Sequence, residues 1–354
     1  MILQWGRTRI KKPKNEIQKQ QQKEDEDLIS KLPDEILLSR ILSILPDADS
    51  YRTIILSNRW KDLQALLPNL HFVVPKCRTK KQVMDYHDFV DKTLASRGGL
   101  PIQKFFFQSS IGSSYMRAMN TLRTVVELKV EELDLTLPSN IFKVSLCWDL
   151  FKTCKTLVAL TLKGFVLDVP EDGLLIPCLK ILNLVSIVYF KHDRTFENLI
   201  SGCPHLEELF VERKVFNDEL YKIKLYSPSL KKLRLEFTSF SEWDTNFKSE
   251  IDAPQIEYLY IQNERTTFDF KKMLCLAESH LCIDRFSQEL FASISATRTL
   301  NLDFRTMKIT KMRIQLTEGL MWSSGWCGFF PGHAVGGGYS NCGRCSREWL
   351  SPSG

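Results

Sequence analysis

The 354-residue sequence has no N-x-S/T glycosylation site, and its ten cysteines are scattered rather than set in the tight framework of a small secreted domain. Both absences favour reduced thiols in the cytosol or nucleus. No apolar run approaches the ~18 residues of a membrane span. The N-terminus, MILQWGRTRIKK, turns basic after a few apolar residues and has no signal-peptide core. No serine precedes Ser30, which argues against a mitochondrial transit peptide. The motifs H-E-x-x-H, G-x-S-x-G and G-x-x-x-x-G-K-[ST] are also missing. Gly336-Gly337-Gly338 neither follows a strand nor opens a helix, so it fails the context of a phosphate loop. The six histidines have no nucleophile at informative spacing. A net charge of +6 is too mild on this length to argue for nucleic acid. The expectation is a soluble protein of the nucleus and/or cytoplasm, without catalytic residues, cofactor, metal or membrane contact.

What is present is an ordinary globular balance, 25% charged and 44% hydrophobic, on a chain long enough for two regions or a repeat array. Residues 1–27 are the exception. Arg7, Arg9, Lys11, Lys12 and Lys14 precede the polar run QKQQQKEDED. Such a leader cannot bury enough apolar area to offset its ordering entropy and is predicted disordered. Its basic cluster reads either as a nuclear address or nucleic-acid patch or as a solvated leader.

Residues 28–72 differ from everything after them. Pro33 suits the first position of a helix, where its missing N–H costs nothing, and Asp34 and Glu35 put negative charge at the positive helix end. A second helix can start at Asp47 after the break at Pro46, and a third at Ser57, with Pro68 closing the set. Ile36, Leu37, Leu38, Ile41, Leu42, Ile44 and Leu45 cover nearly the whole first helix. Three short helices cannot bury so much apolar surface, so part of it calls for a partner chain. The bland alternative is a three-helix domain that only makes its own core.

The stretches LPDEIL, ILSILP and RTIILSNRWKDL, in that order, resemble the F-box of the large plant F-box/leucine-rich-repeat group, which often carries a further FBD domain. The resemblance implies docking on a Skp-type adaptor and, through it, a cullin-based ubiquitin ligase. It implies that Leu32, Pro33, Ile36 and Leu37, with Ile41, make the first adaptor contact and that Leu56 and Trp60 anchor the later helices. One departure is visible: the group commonly has Trp four residues after the Trp of SxRW, and here that residue is Gln64.

Residues 73–124 read as a linker. KKQVMDYHDFVDKTLAS is one helix, with Val83, Tyr86, Phe89, Val90 and Leu94 at helical spacing, Gly98-Gly99 ends it, and IQKFFFQ is a strand. His87 has no second ligand at useful spacing and is taken as an ordinary polar helix residue.

From about residue 125 to 318 the chain repeats itself. L-x-x-L-x-L, allowing Val or Ile, occurs as VEELDL, LVALTL, LKILNL, LEELFV, LKKLRL and IEYLYI, starting at Val130, Leu157, Leu179, Leu206, Leu230 and Ile256. Successive starts lie 27, 22, 27, 24 and 26 residues apart, within the period of leucine-rich repeats. The predicted fold is therefore α+β: a three-helix F-box followed by a solenoid with a parallel sheet along its inside. A weaker seventh unit falls at HLCIDRF or TLNLDF. Cys154, Cys178 and Cys203, each just before a repeat leucine, are read as core filler.

Between the buried positions, each strand points residues outward. The face runs from Glu132, Asp134 and Thr136 through Ala159, Thr161, Lys163, Ile181, Asn183 and Val185. It continues to Glu208, Phe210 and Glu212, then Lys232, Arg234 and Glu236, then Tyr258, Tyr260 and Gln262. It is acidic first, apolar in the middle, and basic then aromatic towards the end. Either a protein substrate lies across Phe210, Arg234, Tyr258 and Tyr260, or the face is solvated with incidental aromatics.

Residues 319–354 are rich in Gly, Ser, Trp and Cys and show neither strand nor helix period nor an FBD domain. Cys327, His333, Cys342 and Cys345 lack the second standard pair spacing of a zinc site, and an irregular tail of unselected character, leaving the solenoid uncapped, is the better reading. The function implied is that of a substrate receptor in an SCF-type (Skp–cullin–F-box) ubiquitin ligase. A non-degradative interaction scaffold, or a zinc- or nucleic-acid-binding regulator, are the alternatives.

Overall fold

Each L-x-x-L-x-L motif puts two apolar side chains, two residues apart, on the same face of a short strand, and burying that face requires a neighbouring coil. The computed structural model describes residues 28–302 and 321–322, apart from residues 46 and 272 and the segments 74–78, 109–114, 138–144, 171–173, 190–193, 214–221, 238–247, 264–266, 284–287 and 295–296. In it the six motifs form six consecutive strands of one parallel sheet: β3 (Glu132–Thr136), β4 (Ala159–Lys163), β5 (Ile181–Val185), β6 (Glu208–Arg213), β7 (Lys232–Phe237) and β8 (Tyr258–Asn263).

The register is uniform. Leu133, Leu160, Leu182, Leu209, Leu233 and Leu259 are partners across successive strands, as are Leu135, Leu162, Leu184, Val211, Leu235 and Ile261. The motif's leading residues, Val130, Leu157, Leu179, Leu206, Leu230 and Ile256, are fully buried behind them. Three buried apolar side chains per coil, at about 2 kcal/mol each, cannot offset the ordering of more than twenty residues alone. The array is stable because each coil covers the next. Return segments close the other side. These include the 3₁₀ turn Trp148–Thr153, helix Thr195–Ser201, and the outer strands Lys222–Tyr226, Lys248–Asp252 and Thr267–Phe270, which form their own three-stranded sheet. Coils approach closely at Gly202. A Cβ there would lie 2.2 Å from the Leu174 carbonyl oxygen, so only glycine fits without moving the backbone.

The sheet extends beyond the motif at both ends. It begins with β1 (Asn69–Val73) and β2 (Lys104–Gln108), paired Leu70↔Phe105 and Phe72↔Phe107, and joins β3 at Phe105↔Leu133. At the other end the described parts of both weak candidates are strand: HLCI lies on β9 (Glu278–Ile283), and TLNL is β10 (Thr299–Leu302). Two residues read as part of an aperiodic tail, Met321–Trp322, pair as β11 with Thr299 and Leu300, 22 residues after Thr299. The expected disordered leader and the four candidate zinc ligands lie outside the described residues.

The helix between β1 and β2, Lys80–Ala95, starts with a capping box. The Thr79 hydroxyl accepts from the Gln82 N–H at 3.3 Å, and the Gln82 side chain accepts from the Thr79 N–H at 3.2 Å. Gly98 and Gly99 follow its end at φ +59° and +89°, where glycine carries no Cβ penalty. His87 corrects the expectation of an ordinary polar helix residue. It is 1% exposed, neither ring nitrogen has a hydrogen-bond partner, and its ring lies 6.0 Å from that of Phe107. Burial, with the Arg117 charge assisting, lowers its pKa. Of the three cysteines read as filler, Cys154 and Cys203 are buried but Cys178 is exposed. Burial pushes the Cys203 thiol up to about 12, which makes it inert.

Candidate functional site

The N-terminal helices present the first surface. Helix α1 (Asp34–Ile36) is followed at once by a π-helical turn, Leu37–Leu42, and then come α2 (Asp47–Arg52) and α3 (Asn58–Leu66). Pro33 sits just outside α1, as its cap, rather than at the first helical position. Ser39 and Ser43 hydroxyls donate to the Glu35 and Ser39 carbonyls at 2.6 and 2.7 Å, back-bonds that compete with a regular helical ladder.

A small core of Leu37, Leu42, Trp60, Leu63 and Leu67 holds these helices together, with Leu32, Leu38, Ile41 and Leu45 half-buried against it. Arg59 ties the chain's separated motifs into one unit. Its guanidinium donates to the Asp34 carboxylate at 2.8 Å and to the Ser30 and Leu32 carbonyls, fixing the LPDE turn against α3. Gln64, in the place of the group's second Trp, is buried, and its Oε1 accepts from the Ser50 hydroxyl at 3.3 Å. The substitution has become a polar pair inside the module.

The expected adaptor residues therefore divide. Leu37 (0% exposed) and Trp60 (5%) are core, so the surface contact expected of Leu37 is corrected: the π-turn aims it inward. Leu56, expected as an anchor, directly follows the 3₁₀ turn Thr53–Ile55, is 61% exposed and lies outside the small core. Pro33 and Ile36 are exposed, and Leu32 and Ile41 are half-buried against the small core. Seven of the thirteen large apolar side chains exposed among the described residues fall between 28 and 66: Leu28, Ile29, Ile36, Ile44, Ile55, Leu56 and Leu66.

This module is locked to the sheet by Arg97. Its side chain is 2% exposed and points its fork at both bodies. Nη1 donates to the carbonyls of Ala65 and, at 2.7 Å, Leu67 at the end of α3. Nη2 donates to the Pro101 carbonyl at 2.7 Å and Nε to that of Leu100 at 3.3 Å. The Pro68 carbonyl accepts from the Gln103 and Lys104 N–H groups, so α3 runs straight into the first coil. Neither Arg59 nor Arg97 was singled out from the sequence; the arginine of SNRW was the available signal for the first.

The second surface is the open face of the sheet. Register aligns His71, Phe106, Asp134, Thr161, Asn183, Phe210, Arg234, Tyr260, His280 and Asn301 in one row across ten strands. His71 and Phe106 stack at 4.2 Å. Burial raises the Asp134 pKa to about 6, against the opposing pull of the Thr136 hydroxyl and Lys163. At the other end, Arg234 is held between two rings, 5.2 Å from the Phe210 centroid and 4.6 Å from that of Tyr260, while its guanidinium pairs with Glu236. The ring of His280 lies 5.6 Å from Tyr258 and 6.2 Å from Tyr260. Phe210, Arg234, Tyr258 and Tyr260 thus lie together, but this end is not basic. Lys232 pairs with Glu208 at 2.7 Å, and Arg234, 6% exposed, is spent on Glu236.

Among the described residues no three His, Cys, Asp or Glu side chains gather as metal ligands, and no helix is long and apolar enough to cross a membrane.

The profile of the family described as FBD-associated F-box protein At5g56370, LRR repeats, matches residues 119–275. F-box/LRR-repeat protein At3g59190 of Arabidopsis thaliana is 36% identical over 66% of this chain and 61% of its own. F-box/LRR-repeat protein At4g14103 of the same plant is 34% identical over 66% and 61%, and F-box/FBD/LRR-repeat protein At2g26030 is 31% identical over 71% and 57%. The chain thus spans a little over half the length of these curated relatives. No solved structure matches it. With F-box/LRR names on its relatives, repeats that match the family profile and a sheet built from those repeats, the chain belongs to the plant F-box/leucine-rich-repeat proteins.

Proposed function

We propose that the chain is the substrate-recognition subunit of an SCF-type ubiquitin ligase. In this reading the three N-terminal helices are an F-box that docks on a Skp-type adaptor and, through it, a cullin. The observation that carries the reading is the cluster of exposed apolar side chains on a module whose own core is already filled. More than half of the large exposed apolar residues described lie within 39 residues, Leu28 to Leu66. Exposed apolar side chains gathered on so short a stretch of a module with its own core point to a protein-interaction surface. Pro33, Ile36 and Leu56 make direct contact, Leu32 and Ile41 support them, and Leu37, Trp60 and Arg59 hold the contact geometry.

The open sheet face binds the target protein across Phe210, Arg234, Tyr258 and Tyr260. Arg234 supports the surface by fixing the Phe210 and Tyr260 rings. The chain supplies no catalytic group. It brings the target to the transfer machinery, and catalysis comes from proximity on other subunits. The nucleus and/or cytoplasm is where it would act. Alanine at all four face positions should abolish capture of the target while adaptor binding is kept; target capture at wild-type level by that variant would sink the assignment of this face.

A further inference from the structure

We propose that Asp134 anchors one basic side chain, an Arg or Lys, of the target protein. The inference rests on the reading of the open face as the target-binding surface and adds a contact towards its other end. Asp134 lies on β3 in the central row of the face, where register sets it between Phe106 of β2 and Thr161 of β4. Four other carboxylates of the face are held differently. Glu132 pairs with Lys104 at 3.1 Å, Glu208 with Lys232 at 2.7 Å and Glu236 with Arg234, while Glu278 bonds the His280 ring at 2.6 Å. Asp134, among the described residues, has no ion pair. Its carboxylate accepts from the Thr136 hydroxyl at 3.5 Å, the outer limit of a hydrogen bond, and Lys163 of β4 acts on it only through its field.

A half-buried carboxylate in that position is costly to ionise, and an arriving guanidinium or ammonium offsets the cost by pairing with it. The ring beside it suits the same group. Phe106 is stacked flat on His71, with centroids 4.2 Å and planes 5° apart. Strands are ~4.8 Å apart, so this stack runs along the sheet and the face of Phe106 turned from His71 looks towards β3. The plane of an arginine or the stem of a lysine can lie there while its N–H groups reach Asp134. On the other side the Thr161 hydroxyl accepts from the Asn183 amide at 3.0 Å, a neutral wall. Phe210 lies three strands on, roughly 14 Å away, which an extended peptide spans in about four residues. The basic residue therefore lies about four residues from the one that meets Phe210.

The test pans phage-displayed random peptides, about twelve residues long, against the full chain and follows the recovered peptides, fluorescein-labelled, by anisotropy. They should weaken roughly tenfold on Asp134→Asn, a variant that melts no lower than wild type, and at least as much on Tyr258→Ala with Tyr260→Ala. Changing their Arg or Lys to Gln should cost about the same in wild type and nothing further in Asp134→Asn. Binding to wild type should also weaken about tenfold from pH 7 to pH 5, as Asp134, its pKa about 6, takes up a proton. Most of that slope should be lost in Asp134→Asn. Glu132, Lys104, Lys163 and His71, the other charged or titratable groups around it, are unchanged in that variant and cannot account for a slope it loses. Peptides that need the tyrosines but bind Asp134→Asn as tightly as wild type would overturn the anchor and leave the face as the docking surface. Peptides that need Asp134 yet carry no Arg or Lys would overturn the basic assignment. Recovery of no peptide, or of peptides indifferent to both sets of changes, would overturn both readings.

Discussion

Replacing Arg97 with methionine keeps most of the side-chain volume and removes the side-chain donors that reach from one residue to both the helical module and the solenoid. Four backbone carbonyls then lose a charged partner: Ala65 and Leu67 on the module side, Leu100 and Pro101 on the sheet side. A hydrogen bond from a charged donor contributes about 1.5–3 kcal/mol net, and buried acceptors left unmade cost about 1–3 kcal/mol. Against this stands the relief of desolvating a buried guanidinium, whose pKa burial already lowers. The balance is a destabilisation of about 2–4 kcal/mol, or roughly 3–7 °C in the melting midpoint for a body of this size. Because the guanidinium stays charged far above neutrality, the loss is flat from pH 6 to 9. Lysine has one compact head and cannot serve carbonyls on both sides, so Arg97→Lys recovers less than half. Thermal melts of the three proteins decide it. A methionine variant melting within about 1 °C of wild type would refute the idea that this side chain joins the two parts.

Two titrating groups give opposite pH dependences. His87 is buried neutral, with Asp88, Asp91 and Arg117 around it, and its folded pKa lies below the ordinary 6.5. Its neutral form is favoured in the fold, so stability is full above about pH 6.5 and is lost as the pH falls towards the folded pKa. His87→Leu should remove that acid loss and, by deleting two unpaired ring nitrogens, stabilise the chain by about 1–2 kcal/mol at neutral pH in urea unfolding. Asp134 works the other way. With its pKa raised to about 6 from 3.8, it destabilises the fold once ionised, fully above about pH 6 and not at all below about pH 4. Asp134→Asn should therefore add about 1–2 kcal/mol at pH 7.5 and nothing at pH 3.5, read from the same curves.

The repeat strands were legible because their signal is short-range. Two apolar residues two apart, recurring every 22 to 27 residues, specify strand, face and register together. That is why the repeat spacing alone sets Phe210, Arg234 and Tyr260 side by side. The strands NLHFV and KFFFQ keep the same apolar spacing only with Phe at its later positions (Leu67, Leu70, Phe72 and Ile102, Phe105, Phe107), and they lie 35 and 28 residues from the next strand, outside that period, so pairing of Asn69 with Lys104 and of Lys104 with Glu132 is what places them. Charge was harder to read than shape. Lys232 and Arg234 look basic in the string, yet their partners Glu208 and Glu236 lie one strand away and two residues on, and the pairs cancel. The arginine clamps were invisible for a related reason: Arg59 reaches 25 residues back to Asp34, and Arg97 reaches 30 back to Leu67. No periodicity marks contacts of that kind. His87 sits at a buried helical position between Val83 and Val90, where polarity alone argued for the surface.

Docking through the exposed apolar side chains of the N-terminal helices is tested most directly by titration calorimetry of the full chain with a purified Skp-type adaptor. The comparison is wild type against Ile36→Asp with Leu56→Asp, two residues that are 40% and 61% exposed and outside the small core. Wild type should form a one-to-one complex, and the variant should lose at least about a hundredfold in affinity, near 3 kcal/mol, with an unchanged melting curve. A folded wild type that gives no binding heat and does not co-elute with the adaptor, or a variant that binds as tightly as wild type, would contradict the assignment of these helices as an adaptor-docking module.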